Sequence, residues 1–308
     1  MSFVLPMVFL ATVALRSQGP LPPSKPPQPT AGEDTPSQSA PMSVAPGPGN
    51  TDWATSTDEA RLRAAREGKF VFFEFTTNDC GNCKRMDALL YPARDLEALL
   101  TSMVPVKVDL ESPVGKEFAS RYGIERAPSI LVVTTEGRLV FLMEGFYNQG
   151  DFFRHANSAL EVYRRFAHEI ESDDVAKLSA KRALETGREL YERSDPVTAL
   201  PRLRRAASAA GATVEQREDA LEVSAAAELD LGQPTASRKT IEQLLAATKD
   251  RGRRERAELF RAQIPLAENR PAEALALFRR FQKEHPTSPH ISRVNQLVQR
   301  LEERVSKP

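Results

Sequence analysis

The sequence predicts an α/β sandwich followed by an all-α helical-repeat domain, and three observations carry that expectation. Between residues 57 and 166, helix-period and strand-period segments alternate and close on a hairpin, the order expected of helices layered on a sheet. The only two cysteines in 308 residues, Cys80 and Cys83, form a C-x-x-C directly behind a strand-like run. Beyond about residue 170 the aromatics thin out, and a proline-opened helix recurs at intervals of 38 and 37 residues.

The first domain's elements follow in order. Ser56-x-x-Glu59 has the form of a capping box and opens a helix over 57–67. The run Phe70-Val71-Phe72-Phe73-Glu74-Phe75 is a strand over 70–76, apolar enough to be buried on both faces. Helices are expected at 81–91 and 94–102, then a strand at 104–109, a helix at 113–122, a hairpin at 129–144 and a closing helix at 148–166.

Cys80-Gly81-Asn82-Cys83, placed between strand and helix, has the form of a dithiol/disulfide redox centre. With no third cysteine, neither thiol can belong to a structural disulfide framework or a four-cysteine zinc site. A helix that begins at Cys80 puts Cys83 one turn later, on the same side and within bonding reach. Cys80 then meets the unsatisfied N–H groups of the helix start, which favour a thiolate. Lowering a thiol pKa from about 8.5 to about 7 takes roughly 2 kcal/mol, the upper end of what a partly buried helix terminus supplies. Lys84 adds a little, and Asp79 opposes it with a like charge. Cys80 is therefore expected to attack and Cys83 to resolve, with modest acidification.

Glu74 interrupts an otherwise apolar strand. A carboxyl buried there must be neutral, paired or in use, and its pKa rises toward the range of a general acid/base. Lys107, in Val104-Pro105-Val106-Lys107-Val108-Asp109, is its candidate partner. The other reading has Glu74 pointing out of a sheet edge. Ala127-Pro128-Ser129 precedes the strand Ile130-Leu131-Val132-Val133, and the proline fits a strand entrance in either the trans or the cis form.

Together these features resemble the thioredoxin superfamily over residues 52 to 166, and within it the C-terminal domain of periplasmic thiol:disulfide interchange proteins. The residues that carry the likeness are Trp53, the helix Asp58 to Lys69, the strand Phe70 to Phe75 and Cys80-Gly81-Asn82-Cys83-Lys84-Arg85-Met86. Val104 to Asp109, Tyr122-Gly123-Ile124, Ala127-Pro128-Ser129 and Gly137 continue it. The resemblance implies a cis Pro128 facing the disulfide and, with Ala127 and Ser129, shaping the groove where a substrate strand docks. It also implies that Glu74 is the family's buried acid and Lys107 the lysine near it. Two positions depart from the pattern: Asp79 stands where the family usually has Trp, and the spacer is Gly-Asn. A spacer that shifts the potential by 30 mV changes the balance by only about 1.4 kcal/mol, so one dipeptide can alter the preferred direction.

Residues 1–19 hold an apolar stretch from Phe3 to Leu15, about 20 Å as a helix and too short for a ~30 Å bilayer core. A secretory signal fits, although the usual preceding basic residue is missing; an uncleaved anchor or a misassigned start codon are the alternatives. No cysteine follows it, which excludes a lipoprotein anchor. Residues 20–51 form a Pro-rich linker: ten of the chain's 23 prolines lie between 20 and 50, and such a segment is expected to be a disordered, semi-rigid tether. The thioredoxin-like domain is assigned to 52–168 and the repeat domain to 169–308.

In the repeat domain Asp195-Pro196, Gln233-Pro234 and Arg270-Pro271 each open a helix with proline at its first position. Three residues on stand Ala199, Ser237 and Ala274; seven on, Leu203, Ile241 and Phe278; ten on, Ala206, Leu244 and Phe281. Preceding helices at 176–193, 215–231 and 253–268 complete the pairs. This part resembles tetratricopeptide (TPR) repeats in degenerate form, which implies a docking surface for peptides or partner proteins.

The chain is formally neutral, with 42 basic and 42 acidic residues; residues 176–308 carry 25 Lys and Arg against 19 Asp and Glu. The basic clusters Arg202-Leu203-Arg204-Arg205 and Arg253-Arg254-Glu255-Arg256 are interleaved with acids at helical spacing, so ion-paired faces are expected and nucleic acid is not a partner. His285 and His290 flank a turn between the last repeat and a terminal helix; their spacing suits a zinc pair, but the other half would have to be Cys80 and Cys83, about 200 residues away in another domain. The expected activity is that of an exported, periplasmic or envelope-associated thiol–disulfide oxidoreductase, a reductase or electron relay. It would act on protein disulfides, take electrons from a dithiol donor, and need no cofactor or metal beyond its own redox disulfide. The alternative is a non-catalytic scaffold that uses the repeats, and a third reading is a peroxidase or isomerase.

Overall fold

The computed structural model describes residues 52–92 and 94–306. The predicted signal segment and proline-rich linker lie outside the described residues. These fall into two compact units, one of residues 52–119 and 124–161, the other of 120–123 and 162–306. Among the described residues no helix is long and apolar enough to cross a membrane.

The first unit contains α1 (Thr57–Glu67), β1 (Phe70–Thr76), α2 (Gly81–Leu89), α3 (Arg94–Leu100), β2 (Met103–Asp109), α4 (Pro113–Tyr122), β3 (Ser129–Val133), β4 (Leu139–Glu144) and the start of α5 (Gln149–Ser172). The sheet order is β2-β1-β3-β4, with β1 parallel to β2 and antiparallel to β3, and β3 antiparallel to β4. Central placement explains the apolar sequence of β1, whose residues Val71 to Phe75 are all buried. Alternation sends its side chains to two faces. Phe73 and Phe75 both pack at a tilt against Phe118 of α4, whereas Phe72 meets Trp53 on the opposite face.

Two expectations change in detail. The capping box at α1 is half formed: Ser56 Oγ accepts the Glu59 N–H at 3.1 Å, but the Glu59 carboxylate accepts from the Thr55 N–H at 2.7 Å instead of from Ser56. Thr55 also donates its hydroxyl to the same carboxylate oxygen, and two donors outcompete one. The closing helix runs to Ser172, past the expected 166. Its apolar spacing continues through Phe166 and Ile170, which are buried in a cluster with Ala183, Leu200 and Leu203.

The second unit is helical: α6 (Ala180–Glu192), α7 (Pro196–Ser208), α8 (Val214–Asp230), α9 (Pro234–Ala247), α10 (Arg251–Ala267), α11 (Pro271–Glu284) and α12 (Ile291–Val305), with a short 3₁₀ turn at Val175–Lys177. Each helix packs on its neighbour in sequence, and α6 also meets α8, so the hydrophobic faces form a continuous stack. The same turn recurs three times. Ser194, Gly232 and Asn269 have φ of 60°, 70° and 55°, and the next residue's N–H returns to Leu190, Glu228 and Pro265. That closure leaves the following proline at the helix's first turn, where no N–H is required. All nine residues of the sequence repeat are buried.

The basic clusters are ion-paired. Arg253 reaches Glu218, Asp219 and Glu222; Arg256 reaches Glu222; Arg204 reaches Glu228 at 2.8 Å. Arg202 donates to the Ile170 carbonyl at 2.9 Å. His285 and His290 flank the turn into α12, and His285 binds Glu258 at 2.7 Å.

Candidate functional site

The strand β1 delivers the chain through Thr76–Asp79 to Cys80, which is the N-cap of α2. Cys80 and Cys83 are joined as a disulfide. Cys80 is half-buried and its sulfur accepts the Cys83 N–H at 3.0 Å, while Cys83 is 4% exposed. One sulfur thus stands at the rim, against a backbone donor at the positive end of a helix, and the other lies beneath it. Asp79 and Lys84 are both exposed.

Glu74 does not sit at an edge. It is fully buried in the central strand, opposite Lys107 in the β1–β2 register. Lys107 Nζ is 3.4 Å from its carboxylate, and neither carboxyl oxygen makes a regular hydrogen bond among the described residues. Burial pushes the Glu74 pKa up to about 7, against the opposing pull of the Lys107 ammonium. The tighter partner of Lys107 is a residue the sequence reading passed over, Asp87 of α2, at 2.6 Å. Burial pulls the Lys107 pKa down, but the Glu74 and Asp87 carboxylates outweigh it and the net direction is up. The ammonium also lies 5.0 Å over the Tyr91 ring and 5.4 Å over the Trp53 ring, and those two rings meet edge to face at 5.2 Å. Burial and the nearby Glu74 carboxylate drive the Tyr91 hydroxyl pKa well upward.

A signal for Asp87 was present: it follows Cys83 by four residues and shares its helix face. Side-chain exposure rises from 0% at Glu74 through 18% at Lys107 to 37% at Asp87, so the three form a graded charged path from the sheet core outward.

The Ala127–Pro128 peptide is cis. Phe75 pairs with Ser129, which places this turn at the end of the sheet from which β1 runs to Cys80. The Pro128 carbonyl accepts the Gly145 N–H at 2.7 Å, and Glu144 accepts the Glu125 N–H at 2.8 Å, so the turn is pinned to the end of β4. Ser129 is fully buried and its hydroxyl donates to the Arg126 carbonyl at 2.6 Å; Ala127 is half-exposed. Any part Ser129 plays therefore runs through its backbone. On the flank of α2, the Arg85 guanidinium lies 4.4 Å over the Phe146 ring.

Glu258, Glu284 and His285 on the array bring ligand atoms together, but Arg280 already holds Glu284 at 2.8 Å.

Residues 57–160 match the family model described as a thioredoxin-like domain. Among solved structures, the solution structure of a thioredoxin from Thermus thermophilus is similar at 21% identity. It covers 35% of this chain and 85% of that one, with a TM-score of 0.33. A DsbH oxidoreductase is similar at 22% identity over 42% of this chain and 95% of that one, with a TM-score of 0.32. No curated protein matches the chain. The sheet, the cysteine pair at a helix start and the family match identify residues 57–160 as a thioredoxin-like domain, carried by a chain whose C-terminal region is mostly helical.

Proposed function

We propose that the protein is a thiol–disulfide oxidoreductase acting on protein disulfides through Cys80 and Cys83, working as a reductase or electron relay. The observation that carries this is the bridge at the start of α2, with one sulfur half-exposed on a backbone donor and its partner buried. In the reduced protein the Cys80 thiolate attacks one sulfur of a substrate disulfide, forming a mixed disulfide and releasing the other substrate sulfur as a thiolate. Cys83 loses its proton and attacks Cys80 Sγ. The second substrate sulfur leaves as a thiolate and the Cys80–Cys83 bridge re-forms. The substrate has gained two electrons, and a dithiol donor returns the bridge to the thiol form.

Glu74, with a pKa near neutrality, takes up or supplies the Cys83 proton, and Lys107 and Asp87 give that proton a route outward. The turn at Ala127-Pro128-Ser129 positions the substrate backbone beside Cys80. No metal or organic cofactor takes part. The helical region acts as a TPR-like docking array, and the N-terminal segment directs export to the periplasm or envelope, where oxidised substrates occur.

The test is insulin reduction with dithiothreitol, using the full chain and its Cys80→Ser variant. Turnover by the parent and background rate for the variant support the reading. Equal rates, with helicity intact, would leave a scaffold function. A reduction potential near about −270 mV marks a reductant, and one near about −120 mV would overturn the direction proposed.

A further inference from the structure

A groove of about 780 Å³ opens on the helical array between α7 and α9, with α8 as its floor. Neither α6 nor α10 contributes to its lining, so it belongs to the side of the second helices of the pairs. In the lining, Ser224 is 2% exposed and its hydroxyl has no hydrogen-bond partner among the described residues. Its oxygen is closed off from the groove, so Ser224 belongs to the floor and the exposed groups of the lining are the ones a partner can meet.

The charges of the groove do not cancel. Glu228 is held by Arg204 at 2.8 Å and by Thr240 at 2.7 Å, and Glu218 by Arg253 at 3.3 Å. Arg217 and Lys239 remain, both exposed, one on α8 and the other on α9. Arg217 reaches only the Ala209 carbonyl, at 3.5 Å, and Lys239 has no ion pair among the described residues. Beside these cations lies apolar surface: Val214, 71% exposed, and Leu221. An isolated anion would leave that surface wet. An acidic segment that also carries apolar side chains covers both.

We propose that this groove binds an acidic, leucine-bearing segment of a partner protein, with carboxylates on Arg217 and Lys239 and apolar side chains on Val214 and Leu221. The proposal deepens the docking part of the function above and is independent of the dithiol.

The experiment is a fluorescence-polarisation titration of the full chain against a fluorescein-labelled hexapeptide alternating glutamate and leucine, with a lysine–leucine hexapeptide as control. Saturable binding of the acidic probe alone is expected, weakening as salt rises. Arg217→Glu and Lys239→Glu should each weaken it by about tenfold or more. Val214→Ser should weaken it while preserving the preference for the acidic probe, and Lys283→Glu on α11 should leave it unchanged. Circular dichroism checks that each variant keeps its helicity, and insulin reduction by the same samples separates a failed groove from a failed redox reading. No saturable binding, equal binding of the lysine probe, or equal weakening by Lys283→Glu overturns the proposal.

Discussion

Among the described residues of the thioredoxin-like unit, the polar side-chain atoms buried without a regular hydrogen bond are the Trp53 indole nitrogen, both Glu74 carboxyl oxygens and the Tyr91 hydroxyl. All of them surround Lys107. In the helical array such atoms are scattered, as at Ser224, Gln263 and His290, and several charges there are matched by a neighbour about one repeat away. Buried polar groups gathered around one lysine are where burial and charge shift pKa values most, as they do at Glu74. Dispersed, they reflect the stacking of similar modules.

The contrast can be broken first at the array's core. Phe278 is fully buried among Leu259, Ala274, Val294 and Val298. Phe278→Ala should cost about 3–5 kcal/mol, read as a lower denaturation midpoint of the helical signal, while Cys80-dependent insulin reduction persists. If reduction is lost at the same midpoint, the two regions are not energetically distinct.

Next in size is the pH dependence. Between the ordinary Glu74 value of 4.5 and about 7, the native state holds a proton that the unfolded chain has released. Stability therefore falls as pH rises through that window, by up to roughly 3 kcal/mol, and is level above it. Glu74→Gln should flatten this slope in urea unfolding followed from pH 4.5 to 8. An unchanged slope would move the linked group elsewhere.

The smallest effect sharpens the repeat. Ser194 adopts a φ of 60° where the next repeat has Gly232, so Ser194→Gly should stabilise the array by about 0.5 kcal/mol in thermal unfolding. Destabilisation would mean that the serine side chain has a role the turn geometry does not explain.

Much of the site was legible because its signals are local. A C-x-x-C after a strand, an acid inside an apolar run and a proline at a strand entrance each depend on neighbours a few residues away. Asp87 was not read. Its own spacing to Cys83 was visible, but its importance comes from meeting Lys107, 20 residues on, at 2.6 Å. The extension of α5 to Ser172 was missed for a similar reason: Phe166 and Ile170 continue because partners from α6 and α7 bury them.

By itself, the sequence determined the alternation of elements, the dithiol at a helix start, and the three proline-opened helices whose repeat positions are buried. These follow from backbone periodicity and local sterics, which act within a turn or two. Tertiary structure alone decided which carboxylate Lys107 grips, that Glu59 turns to Thr55, and that α7, α8 and α9 enclose a groove with two unspent cations. Partner choice among charges depends on distances set by packing between segments far apart in the chain, and no spacing rule contains them.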